Sequence, residues 1–127
     1  MATATGKPKI PLTMSIKKSV LGTKVVNAEG EDLGKIEDVV IDPFEDRIGY
    51  AILSFGGFLA MGDKHFAIPW EALGFDLSNK VAVLNIDRDR LKNAPGFDKN
   101  NWPDMADINW ANEIRTHYGY PPISMAP

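Results

Sequence analysis

The chain contains no cysteine. Disulfides, thiolate metal sites and a cysteine nucleophile are therefore excluded, and a reducing compartment is allowed. Histidine is scarce, with two in 127 residues, so few side chains can act as an imidazole base. No stretch approaches the roughly eighteen apolar residues of a membrane span. The opening MATATGKPKIPLTMS has no uninterrupted apolar segment of signal-peptide length, and Pro8 and Pro11 break it. Excess positive charge is missing as well: 14 basic against 17 acidic residues leave a net charge of −3. Nucleic acid selects net basic surfaces, so it is disfavoured as a partner. These absences describe a cytoplasmic chain with no transmembrane segment. Its length suits one domain with a self-sufficient core.

Charge is segregated along the chain. Residues 7–24 hold Lys7, Lys9, Lys17, Lys18 and Lys24 and no acid. Residues 29–46 hold Glu29, Glu31, Asp32, Glu37, Asp38, Asp42, Glu45 and Asp46 against Lys35 alone. Two readings fit. One is a solvated acidic surface that keeps the protein in solution. The other is an acidic face for a basic partner, or for the protein's own basic arm.

Residues 1–14 are rich in Ala, Thr, Lys and Pro and read as a mobile arm. From about Ser15 to Ile86 the signals are β. Lys24–Asn27 is short and β-branched, and Ala-Glu-Gly-Glu then turns the chain. Leu33–Ile41 continues as a strand, with Gly34 marking a bulge or bend. Asp42-Pro43-Phe44-Glu45-Asp46 is a turn in which Pro43 presets the backbone and Asp42 accepts hydrogen bonds. Arg47–Phe55 is apolar on both faces and reads as a central, doubly covered strand. His65–Trp70 is the next strand, and Pro69 marks its end or an edge. Trp70–Leu73 makes a short helical turn, and a hairpin closes around Ser78-Asn79. Asp87 caps a short helix reaching Leu91 or Lys92, and Asn93–Phe97 is a loop. One substantial helix is expected over about 104–118. Asp104 or Asp107 caps it, and Trp110, Ala111, Ile114 and Tyr118 form its apolar stripe.

Catalytic patterns are weak. Ser15, Ser19, Ser54, Ser78 and Ser124 lie in no nucleophile-elbow context. His65 reads as an ordinary strand residue, and His117 as a last-turn residue favoured by the helix dipole. Asp42, Glu45 and Asp46 lack the acid-and-glycine alternation of a calcium loop and read as turn chemistry. Apolar exposure is more informative. Phe58, Leu59 and Met61, bracketed by Gly56-Gly57 and Gly62, must fold over the end of the sheet or meet a partner; burying each fully is worth roughly 1.5–3 kcal/mol. Trp102, Trp110, Ile114 and Tyr118 complete the candidate interface.

Four stretches carry a family resemblance. They are Leu21-Gly22 with Val25-Val26-Asn27, then GEDLGKIEDVV from Gly30 to Val40, Arg47-Ile48-Gly49-Tyr50-Ala51, and Phe66-Ala67-Ile68-Pro69-Trp70 before Leu73. Together they resemble the PRC-barrel family, known from the cytoplasmic domain of the photosynthetic reaction centre H subunit. The tail, Leu91-Lys92-Asn93-Ala94-Pro95-Gly96-Phe97 with Trp102-Pro103, Trp110 and Tyr118-Gly119, resembles stand-alone bacterial members. The resemblance implies a mainly β fold: a small antiparallel barrel of about six strands over 15–87, with a helical extension over 88–127 packed on the barrel or on a partner. It also implies no cofactor, no catalytic motif, and use as a docking module. The expected function is a non-catalytic protein–protein interaction or scaffold module, with homodimerisation as one form. The alternative is an accessory in photosynthetic-type electron transfer or ligand handling, by analogy with the H subunit.

Overall fold

Short side chains at the ends of apolar runs set the turns. Asn27 Oδ1 accepts from the N–H groups of Glu29 and Glu31 at 3.1 and 2.9 Å. Asp42 Oδ1 accepts from Phe44 and Glu45, and Asp76 Oδ1 from Asn79. Each side chain supplies a local acceptor that reverses the backbone, which is why these residue types favour turns. The computed structural model describes residues 13–55 and 64–122. Within them the strands are β1 (Lys24–Val26), β2 (Asp32–Asp42), β3 (Arg47–Ser54), β4 (Lys64–Pro69), β5 (Leu73–Asp76), β6 (Val81–Leu84) and β7 (Gly96–Asp98). The α-helices are α1 (Arg88–Lys92) and α2 (Ile108–His117).

The barrel expectation needs correcting. The strands form one seven-stranded sheet in the order β5-β6-β1-β2-β3-β4-β7, and its two ends are not hydrogen-bonded to each other. It is also mixed, because β1 runs parallel to β6 while the other pairs are antiparallel. The sheet nevertheless curls. β4 and β5 lie towards opposite ends of the order, yet only Trp70–Ala72, a 3-10 turn, joins them. Three residues span at most about 14 Å between flanking Cα atoms, so the two sides must approach. Closure by β5 is pre-empted along Lys64–Phe66, where β7 occupies the outer edge of β4.

Curling explains why β3 is apolar on both faces. Ala51, Leu53 and Phe55 belong to the inner core with Val25, Leu33 and Phe66. Ile52 points the other way and forms an outer core with Ala67 of β4 and Ile114 of α2, flanked by Tyr50 and Trp110. Gly34 sits at the expected irregularity: φ is +118°, and a Cβ there would collide with the Ser54 carbonyl oxygen. The register between β1 and β2 slips beside it.

Four local expectations differ from the structure. Ile16–Val20 is a π-helical turn, with the Ser15 side chain accepting from the Lys18 N–H, where β structure was expected. β7 replaces a loop. Gly96 lets it approach β4 closely, since a Cβ would meet Phe66 Cε1 and Lys64 Cε at 2.8 Å; an edge strand recruited in this way has no local periodic signal. α2 begins at Ile108, because Asp104 bonds Ala106 in a separate turn and Asp107 provides the cap. Met14, read as part of the arm, packs partly buried on the inner core, and residues 1–12 lie outside the described residues. No helix among the described residues is long and apolar enough to cross a membrane.

Candidate functional site

The β2–β3 hairpin carries the most exposed apolar groups. β2 is eleven residues long, but β1 pairs with it only between Asp32 and Lys35. β4 likewise pairs with β3 only from Tyr50 onward. The end of the hairpin therefore projects beyond the rest of the sheet. Phe44 at its tip is 93 % exposed, and Ile41 is 65 % exposed. The tip is braced: Asp42 Oδ1 accepts from Phe44 N–H at 3.0 Å and Glu45 N–H at 3.2 Å, and Asp46 adopts φ +54°. Pro43 restricts the chain further. Asp42, Glu45 and Asp46 flank Phe44 along the turn, and the exposed Arg47 follows as the cross-strand partner of Asp42. Farther back, Asp38 Oδ1 accepts the N–H of Val39 at 2.7 Å. A strand-edge donor occupied by a side chain is a poor template for sheet extension.

A second apolar surface is basic. Ile16 and Leu21 are exposed and joined through the Leu21 N–H to the Ile16 carbonyl. Lys17, Lys18 and Lys24 are exposed in the same segment; Lys24 lies 3.9 Å from Asp32, and Lys18 borders a groove shared with Asp76 and Lys80. The segment is anchored on the middle of β2: Gly22 N–H donates to Ile36 O at 2.7 Å, and Ile36 N–H donates to Thr23 O at 3.0 Å.

The remaining candidates fall at several depths. Ile114 is fully buried on Ile52 and Ala67. Trp110 stacks obliquely on Tyr50 with ring centres 5.4 Å apart, and Tyr118 packs on both cores. The helix stripe thus packs within the chain itself. Trp102 is 41 % exposed; its Nε1–H donates to Lys99 O, and its ring leans on Phe97 at 5.1 Å. Phe58, Leu59 and Met61 lie outside the described residues. Ile16, Leu21, Ile41 and Phe44 were not singled out from sequence. A phenylalanine inside a Pro-Phe-Glu-Asp turn was the available signal for Phe44, since a tight turn has little interior to offer.

The titratable groups mostly support structure. Arg115 pairs with Glu71 at 3.1 Å and donates from Nε to Pro121 O, tying α2 to the 3-10 turn. Arg90 donates to His117 O at 2.6 Å while His117 Nε2 faces Arg90 O at 3.2 Å, joining α1 to α2. His65 meets Phe97 edge-on at 6.0 Å, and its Nδ1 is buried with no hydrogen-bond partner among the described residues. Burial pushes the Tyr118 hydroxyl far above its usual range, and burial raises Tyr50 too. Among the described residues, no group of three or more His, Asp or Glu could hold a metal ion.

The chain is thus a small, mainly β domain that carries exposed apolar side chains on braced backbone. A family model described as the PRC-barrel domain matches residues 15–91, more than half of the chain, and the protein belongs to that family. No curated protein matches it.

Proposed function

We propose that the protein is a non-catalytic PRC-barrel interaction module that works in the cytoplasm by holding a fixed surface against another protein. The observation that carries this reading is Phe44, 93 % exposed on a turn closed by two hydrogen bonds to Asp42. Removing such a ring from water is worth roughly 1.5–3 kcal/mol. The braced turn lowers the ordering penalty of binding, because little backbone freedom remains to be lost. The exposed Trp102 leaning on Phe97 supplies a second aromatic contact point.

A photo-crosslinking benzophenone amino acid at position 44, in cells making the protein, tests the reading. Light-dependent adducts between this residue and a protein are expected. Their absence, with the same probe at Asp89 as a surface control, would remove the tip as a contact site and the reading with it.

A further inference from the structure

We propose that the acidic hairpin tip of one molecule docks on the basic Ile16–Lys24 segment of a second copy of this chain. The inference rests on the interaction-module reading and names the partner. Five large apolar side chains are exposed among the described residues: Ile16, Leu21, Ile41, Phe44 and Trp102. Four of them fall into two patches of opposite charge. Ile16 and Leu21 lie among Lys17, Lys18 and Lys24, with no acid between residues 16 and 24. Ile41 and Phe44 lie among Asp42, Glu45 and Asp46, with no base between residues 41 and 46. With their charged neighbours included, Asp32 beside Lys24 at 3.9 Å and the exposed Arg47 opposite Asp42, each patch keeps an excess of one sign, so the two complement each other in sign.

The patches cannot satisfy each other within one molecule. The basic segment is bonded to β2 at Ile36, whereas Ile41 and Phe44 follow along the same strand and its turn. Five strand residues at about 3.3 Å each place Ile41 roughly 16 Å away. The hairpin is a paired ribbon from Lys35–Ser54 to Asp42–Arg47 and does not fold back on itself. A tip meeting another tip sets acids against acids, and two basic segments repel likewise, so only the crossed contact is attractive. Because Gly22 and Thr23 tie the basic segment to β2 at Ile36 and the tip ends the same strand, a twofold pairing of two copies makes the crossed contact twice. A twofold arrangement then closes the assembly at two.

Sedimentation velocity over a concentration series tests the proposal with five proteins. The parent chain is expected to self-associate and to weaken several-fold between about 50 and 500 mM NaCl, as screened ion pairs do. Lys17→Glu/Lys18→Glu and Glu45→Lys/Asp46→Lys should each lower the association constant about tenfold or more, the range expected when complementary charges become repulsive. The protein combining all four changes should recover it. Lysine at position 46 is compatible with the turn, since Lys80 adopts φ 57°; unchanged far-ultraviolet circular dichroism and melting temperature confirm folding. Phe44→Ser provides an uncharged second route to the same loss. A monomer at every concentration, or association indifferent to the charge reversals, overturns the proposal. Adducts at position 44 whose mass matches a different protein would also overturn it while leaving the interaction-module reading standing. A larger assembly that obeys the same loss and rescue supports the contact.

Discussion

Asn27 is the most informative position to perturb in the fold. Its side chain is 2 % exposed and joins three parts of the chain. Nδ2 donates to Glu31 Oε1 at 2.7 Å and to Ile86 O at 3.2 Å, while Oδ1 accepts from the Glu29 and Glu31 N–H groups. The bond to Ile86 bridges 59 positions in sequence and ties the β1–β2 turn to the chain leaving β6. Asn27→Ala deletes all four bonds. The two turn N–H groups belong to exposed residues and can re-bond to water, so each loss costs about 0.5–1 kcal/mol; the buried Ile86 carbonyl adds about 1–3 kcal/mol. The expected total is about 3 kcal/mol. Urea denaturation should show a lower midpoint at unchanged slope, and the melting temperature should fall by about 10–15 °C. Asn27→Asp separates the contributions. The carboxylate keeps the acceptor role but faces the Glu31 carboxylate and the Ile86 carbonyl, so its folded pKa rises above the unfolded value of about 3.9. Its stability relative to the parent is therefore greatest below about pH 4 and is lost as pH rises through the folded pKa. A loss under about 1 kcal/mol for Asn27→Ala at neutral pH, or no pH-dependent gap for Asn27→Asp, would refute the assignment of Asn27 as a long-range tie.

Two further predictions concern backbone and helix. Gly34→Ala combines a positive φ with a collision against the Ser54 carbonyl, and should destabilise by about 3 kcal/mol; Gly74→Ala, with open space around the added Cβ, should stay within about 1 kcal/mol of the parent in the same urea titration. Tyr118→Phe removes a buried hydroxyl that has no partner among the described residues, so chemical denaturation at pH 7 should find it neutral or more stable by up to about 1 kcal/mol. The parent is expected to lose stability above pH 10, where unfolded tyrosines ionise while folded Tyr118 and Tyr50 stay neutral. Tyr118→Phe should flatten that decline, and an unaltered alkaline slope would count against the burial of this hydroxyl.

Much of the local structure could be read from residue chemistry. The turns at Ala28–Glu31, Asp42–Asp46 and Ser78-Asn79 act through nearest neighbours, so their positions follow from residue type. The two apolar faces of Arg47–Phe55 imply cover on both sides, and the structure places an inner core on one and α2 on the other. Gly34 announces the irregularity that the Ser54 carbonyl requires. β7 was not legible, because three residues become a strand only through the outer edge of β4. The π-helical turn at Ile16–Val20 was masked by β-like signals downstream. Trp110, Ile114 and Tyr118 read as one stripe, but a stripe alone does not state whether it meets its own sheet or another molecule.

The sequence alone determined the turns, the strand-rich pattern, the short helices and the family, since each depends on residues close in the chain or on a recognisable string of them. Tertiary structure decided that the sheet is mixed and open at its ends, that α2 packs on the outer face of β3 and β4, and that Phe44 and Ile41 stand in water beside acids while Ile16 and Leu21 do so beside lysines. Those outcomes depend on which strand edges are already paired and which apolar groups find cover. Both are properties of contacts between residues far apart in the chain, and no local pattern encodes them.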